Sequence, residues 1–209
     1  MNETPVIFES EDLILEGRIA YGDQTQAAVL THPHPQYGGD MQNPVVQSMT
    51  RIYKKKGYTT LRFNFRGAGK SQGHYAEGQG EIRDLSAAFA FLEKQGYAAI
   101  HLAGYSFGAW VNAHAAGNVQ PAGQILVAPP AALMDFSQVD AIAALKLVVT
   151  GSEDEFAPPR RIDPLVRKWE PSARFHVIEG ADHFLFGHLD ELEATLSAEI
   201  PGAAGQSGD

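Results

Sequence analysis

The sequence predicts a layered α/β architecture, and three observations predict it. Helix and strand patterns alternate from one end of the chain to the other. The strand patterns in the middle are uninterrupted apolar runs, as expected of strands covered on both faces. One of these runs, Ala98 to Ala103, leads straight into Gly104-Tyr105-Ser106-Phe107-Gly108. A buried strand there gives way to a helix within a few residues, so the serine sits on a sharp turn with its hydroxyl lifted clear of the backbone. Glycine at 104 and 108 makes room for a chain turned that tightly, and the serine itself is expected in strained torsions.

Taken in order, Val6 to Glu9 and Leu13 to Tyr21 read as two short strands, and Gly22-Asp23 with the polar residues behind it as a turn. Ala27 to Thr31 is a third, wholly apolar strand that stops at His32-Pro33-His34-Pro35, since two prolines in four residues cannot extend a central strand. A helix follows from Pro44 to Lys56, with Val45, Met49 and Ile52 on one stripe and Gly57 as its stop. Tyr58 to Phe65 is the next strand, and Arg66 to Ser71 a glycine-rich turn. Glu81 to Gln95 is an amphipathic helix closed by Gly96, and Ser106 to Ala116 an alanine-rich helix with Trp110 its one bulky residue. Gly123 to Ala128 and Leu145 to Thr150 are buried strands. The segment between them, 129–144, is too short to hold a lid. Arg160 to Trp169 is a helix, Arg174 to Ile178 a last strand, and Leu185, Leu189, Leu192 and Leu196 stripe a final helix.

At 209 residues the chain suits one sizeable domain, expected over 1–200, with the Gly, Ala and Ser of 201–209 as a flexible tail. Sixteen basic residues against 25 acidic give a net charge of -9, and no basic run exceeds Lys54-Lys55-Lys56. Nucleic acid is therefore not an expected partner, because its backbone needs a concentrated positive surface. The absence of cysteine excludes disulfides, thiolate metal sites and a cysteine nucleophile. The first residues lack the charged and apolar regions of a signal peptide, and no apolar run reaches ~18 residues, so a cytoplasmic protein with no membrane span is expected. Nothing in the sequence signals an oligomeric state.

A serine alcohol is a poor nucleophile at neutral pH and needs a base, itself held by a carboxylate. In parallel sheets such groups gather beyond the carboxyl ends of the strands. The strand ending at Thr150 runs into Gly151-Ser152-Glu153-Asp154-Glu155, and the strand ending at Ile178 runs toward Gly180-Ala181-Asp182-His183-Phe184. The resulting chain order is serine, acid, histidine.

On these residues the chain resembles the small bacterial α/β-hydrolases of the lidless, dienelactone-hydrolase-like kind. The resemblance spans nearly the whole chain. It rests on Thr31 to Pro35 with Gly38-Gly39, on Phe65 to Ser71, on the serine turn, on Gly151 through Asp154, and on Gly180 through His183. It implies a mostly parallel central sheet of about eight strands, the first ones antiparallel, with helices on both faces and no lid domain. Dienelactone hydrolases proper carry a cysteine nucleophile; Ser106 stands in that place and points to ordinary ester or thioester hydrolysis. Carried over by position, Ser106 is the nucleophile, His183 the general base and Asp154 the acid that orients it, with Glu153, Glu155 and Asp182 as neighbouring acids. Phe107 N–H is one expected oxyanion donor. The second comes from the loop after the third strand, where Pro33 and Pro35 have no N–H, which leaves His34, with Gln36 or Tyr37 behind it.

Tyr37, Met41, Phe156 and Phe184 are candidates for the substrate pocket. Without room for a lid the site is expected to be shallow and open, suited to short or medium acyl groups of a small-molecule ester or thioester, or to an acyl group exposed on something larger. His32 and His34 with Asp40 could be imagined as a metal site, and Gly69-Lys70-Ser71 as the end of a phosphate-binding loop. The first needs further histidines and acids after later strands, and those found there, Asp154 and His183, already complete the serine set. The second has Asn64 where the loop needs glycine, and no helix pattern follows it. No metal or cofactor is expected. Peptidase or acyltransferase chemistry on the same three residues, and a hydrolase-shaped binding protein, are the alternative readings.

Overall fold

The most apolar strands occupy the middle of the sheet. A computed structural model describes residues 3–115 and 117–202. In it β1 (Thr4–Ser10), β2 (Leu13–Ala20), β3 (Asp23–Thr31), β4 (Tyr58–Phe63), β5 (Ala99–Tyr105), β6 (Gly123–Val127), β7 (Leu145–Gly151) and β8 (Arg174–Ile178) form one sheet in the order β1-β2-β4-β3-β5-β6-β7-β8. The β1/β2 and β2/β4 pairs are antiparallel and the rest are parallel. Every residue of β4 and β6 is buried, whereas exposed residues recur along β1 at the edge. A sheet covered on both faces at its centre requires that difference.

Five helices do the covering: α1 (Pro44–Lys55), α2 (Gln79–Glu93), α3 (Phe107–His114), α4 (Pro159–Trp169) and α5 (Leu189–Glu199). α1 packs with α5 and α2 with α3, while α4 lies along β7 and β8. Asn43 starts α1 by accepting the Val45 N–H (2.9 Å), and Pro44 at the first helical position has no N–H to orphan. The strand order changes direction at β3, which has β4 on one side and β5 on the other. Loops leaving the carboxyl ends of β3 and β5 therefore part and open a crevice between them, where open α/β sheets bind ligands.

Several boundaries differ from expectation. The expected turn at Gly22-Asp23 is the start of β3, whose register with β4 shifts between Asp23 and Ala27. Past Phe63 the Asn64 N–H still reaches β2 at Glu16 O (3.0 Å), but the Phe65 N–H turns away to His32 Nε2 (3.0 Å), and β4 ends there. α5 begins at Leu189. Leu185 is buried, but its φ of 57° cannot continue a helix. α3 holds Phe107 as well as Trp110, and its expected end at Ala116 lies outside the described residues, as do residues 203–209 of the expected tail.

The 129–144 segment carries no lid and is tied down. Trp110 Nε1–H donates to Asp135 O (2.7 Å), and the Phe136 ring packs on Trp169 and His114. On the other side, Arg66 after β4 reaches into α2, donating from Nε and Nη2 to the fully buried Asp84 and from Nη2 to Glu11 (3.0 Å). Removing one partner of a buried ion pair leaves an uncompensated charge. Arg66→Ala should therefore lower stability by about 3–5 kcal/mol in denaturant unfolding; a change within experimental error would show that Asp84 is satisfied without it.

Two histidines, His32 fully buried and His101 half-buried, are held in neutral form. His32, at the end of β3, donates from Nδ1 to Pro33 O (2.6 Å) and accepts the Phe65 N–H at Nε2. His101 on β5 lies against the Tyr53 and Tyr58 rings. Burial pushes each imidazole from 6.5 down to about 4. Between those values the unfolded chain binds protons that the folded one refuses, so stability falls with pH through this window, by up to about 1.4 kcal/mol per pH unit for each group. Thermal unfolding should show Tm dropping from pH 6.5 to 5, with a shallower slope in His101→Gln; a flat profile would contradict the buried neutral assignment.

Candidate active site

Ser106 lies between β5 and α3 with φ 54° and ψ -115°, torsions costing of the order of 1–3 kcal/mol in a residue other than glycine. Its surroundings leave no alternative. The Ser106 N–H donates to Val127 O (2.9 Å), and its carbonyl accepts the Trp110 N–H (3.1 Å). A Cβ at Gly104 would lie 2.5 Å from Gly108 O, and one at Gly108 2.6 Å from Thr31 O. Beneath the turn Asn112, with its amide oriented so that both ends are satisfied, donates to Thr31 Oγ1 (3.0 Å) and Gly108 O (3.0 Å) and accepts the Gly104 N–H (3.1 Å).

The three residues expected to act together meet although they are far apart in the chain. Ser106 Oγ is 2.9 Å from His183 Nε2. His183 Nδ1 lies 3.0 Å and 2.9 Å from the two Asp154 carboxylate oxygens. An ionised carboxylate only accepts, so Nδ1 carries the proton and Nε2 is left to accept from the serine hydroxyl. Asp154 is buried and held by the Phe156 N–H (2.8 Å) and Ala157 N–H (2.7 Å). Its rivals point elsewhere: Glu153 and Glu155 are exposed, and Asp182 accepts the Phe184 N–H (2.9 Å).

Two supports escaped the sequence reading. Tyr105 O–H donates to His183 O (2.9 Å), fixing the loop that carries the imidazole, and Thr150 Oγ1 donates to Ala157 O (2.5 Å) beneath Asp154. Tyr105 reads as one more residue of a buried strand, and only the neighbour relation of loop to strand reveals its partner.

The N–H groups of Phe107, directly after Ser106, and of His34 have no partner among the described residues. The other two candidates are engaged within their own turn: Gln36 N–H donates to His34 Nδ1 (3.3 Å), and Tyr37 N–H to His34 O (3.1 Å). The His34 ring packs against Phe107, Tyr75 and Tyr37. A Cβ at Gly39 would fall 2.2 Å from Pro33 O, which keeps this loop folded on itself. His32 braces the loop with both ring nitrogens, so it has no lone pair to offer a cation. Ser71 and Lys70 likewise serve packing, bonded to Asn64 O and to Glu16.

The rim is aromatic and exposed. Phe156 and Phe184 pack on the His183 ring, and Phe186, which the sequence reading passed over, stacks on Phe184 while 74% exposed. Tyr37 stands on the other side, also exposed. Met41 departs from expectation. It is only 5% exposed, with its N–H on Asn64 and its carbonyl on Arg62, and has little surface to offer a ligand.

No family model matches the chain. It is 30% identical over 205 residues to an uncharacterized protein of Rickettsia prowazekii, covering 92% of this chain and 86% of that one. Among solved structures it is similar to an α/β serine hydrolase homologue from Coxiella burnetii (35% identity, TM-score 0.87, 95% and 97% of the two chains). It is also similar to an α/β serine hydrolase without a lid from Xanthomonas campestris (30% identity, TM-score 0.88, 95% and 93%). With its eight-stranded sheet, its turn at Ser106 and these relatives over nearly its full length, the chain belongs to the small lidless α/β-hydrolases.

Proposed function

We propose that this hydrolase cleaves carboxylic or thiol esters with short to medium acyl groups through an acyl-enzyme on Ser106. The observation that carries the reading is the unbroken hydrogen-bonded chain Ser106–His183–Asp154 beside two unpaired N–H groups. In the first half-reaction Ser106 Oγ attacks the acyl carbon as its proton passes to His183 Nε2. The carbonyl oxygen becomes an oxyanion held by the Phe107 and His34 N–H groups. Collapse expels the alcohol or thiol, which takes the proton from His183. Water then repeats the cycle, giving up a proton to His183 and leaving as part of the carboxylic acid while Ser106 recovers its hydrogen. Asp154 stays ionised and holds the imidazolium. Tyr105 acts through the backbone of His183 as a positioning residue.

A fluorophosphonate probe should label the wild type at Ser106 and leave Ser106→Ala unlabelled; absence of label would favour a binding protein. Asp154→Asn should lower kcat toward p-nitrophenyl acetate by about 10⁴-fold, because an amide at 154 favours the wrong imidazole tautomer. Across p-nitrophenyl esters of increasing length the rate should peak at short or medium chains; a long-chain optimum contradicts the open site.

Tyr105→Phe removes one hydroxyl from beneath His183. A kcat loss of about tenfold is expected with KM unchanged, since only the alignment of the base suffers. Equal loss in both parameters, or none, would remove Tyr105 from this role.

A further inference from the structure

The two sides of Ser106 differ in chemistry. On the β7 and β8 side stand the phenyl rings of Phe156, Phe184 and Phe186. On the other, the turns after β3 and β4 enclose a cleft of about 260 Å³ lined by Pro35, Gln36, Gly67, His74 and Tyr75. The cleft adjoins the unpaired N–H groups: Pro35 and Gln36 follow His34 directly, and the Tyr75 ring lies 4.7 Å from the His34 ring and 6.0 Å from that of Phe107. A Cβ on Gly67 would come 3.0 Å from His74 Cα, so the β4 turn is closely packed on itself at this wall.

The lining is polar and includes no lysine or arginine. The Gln36 amide, the His74 ring and the Tyr75 hydroxyl have no hydrogen-bond partner among the described residues. Arg66, in the turn after β4, is paired with Asp84 and Glu11. Burial, with Glu81 and Glu77 nearby, pushes the Tyr75 phenol up and keeps it a donor. A carboxylate or phosphate entering here would give up water without meeting a lysine or arginine in the lining. A hydroxyl could both donate and accept among the Gln36 amide, the His74 ring and the Tyr75 hydroxyl.

Proton delivery decides which half of a substrate faces the cleft. His183 must hand its proton to the leaving oxygen, so the leaving group lies on the His183 side, over the phenyl rings. The acyl substituent is left to the other side. We propose that this cleft is the acyl subsite and that it takes a short, uncharged acyl group bearing a hydroxyl. The proposal rests on the serine hydrolase reading and names its substrate class.

The test compares p-nitrophenyl butyrate, 3-hydroxybutyrate and hemisuccinate, which share a leaving group. In kcat/KM the hydroxylated ester should exceed the plain one by about threefold to tenfold, and the hemisuccinate should trail both by about tenfold or more. Tyr75→Phe and His74→Ala should each bring the hydroxylated-to-plain ratio toward about one, whereas Phe186→Ala should leave that ratio where it is. A ratio unmoved by both cleft variants, or hemisuccinate as the best substrate, overturns the subsite. In a second series, butyrate esters of different alcohols, cleft variants that change the preference among alcohols instead would put the leaving group there and also overturn the subsite. Fluorophosphonate labelling of the same preparations separates these outcomes from the loss of the whole reading, in which neither label nor turnover is seen.

Discussion

The close approach of α3 to the ends of β3 and β5 governs this molecule. Gly108 sits where any side chain would strike Thr31, and Gly104 where one would strike Gly108. That contact lets the chain double back at Ser106 and holds the serine in torsions it would not otherwise adopt. Asn112 closes the contact from below by joining β3, β5 and α3 through one amide. The hydroxyl consequently stands at the first turn of α3, next to N–H groups that the helix leaves unused. The raised hydroxyl and the unpaired N–H of Phe107 are thus two results of one steric arrangement.

A second constraint is electrostatic. Asp154 is a buried carboxylate, and such a group is tolerated only when its lone pairs are met. Two backbone N–H groups of its own turn meet some of them, and the imidazole meets the rest. Gly151 allows the turn, since a Cβ there would fall 2.0 Å from Ala181 O in the loop that leads to His183. The loops after β7 and β8 are therefore in backbone contact, and Asp154 and His183 are positioned by one another as well as by their strands.

Much of this was legible in the sequence because the signals were local. The apolar runs, the elbow glycines and the acid and histidine placed after late strands each follow from a few adjacent residues. The β3 boundary was missed because a bulged strand start reads like a polar turn. Leu185 was placed in α5 because a buried leucine in a loop shares the spacing of a helical stripe. Met41 looked like a pocket residue by its nearness to the His34 loop, yet Arg62 and Asn64, more than twenty positions away, draw its backbone inward. Tyr105, Tyr75 and Phe186 take their meaning from neighbours across the fold, which spacing along the chain does not encode.

The bond from the Trp110 indole to Asp135 has a wider reach. It fastens the 129–144 connection, which carries no lid, and it does so through the helix that follows Ser106. A catalyst fastened in this way has no gate to swing at an oil–water boundary. Its rate would follow the concentration of dissolved molecules smoothly, with no sudden rise when they begin to form droplets or micelles.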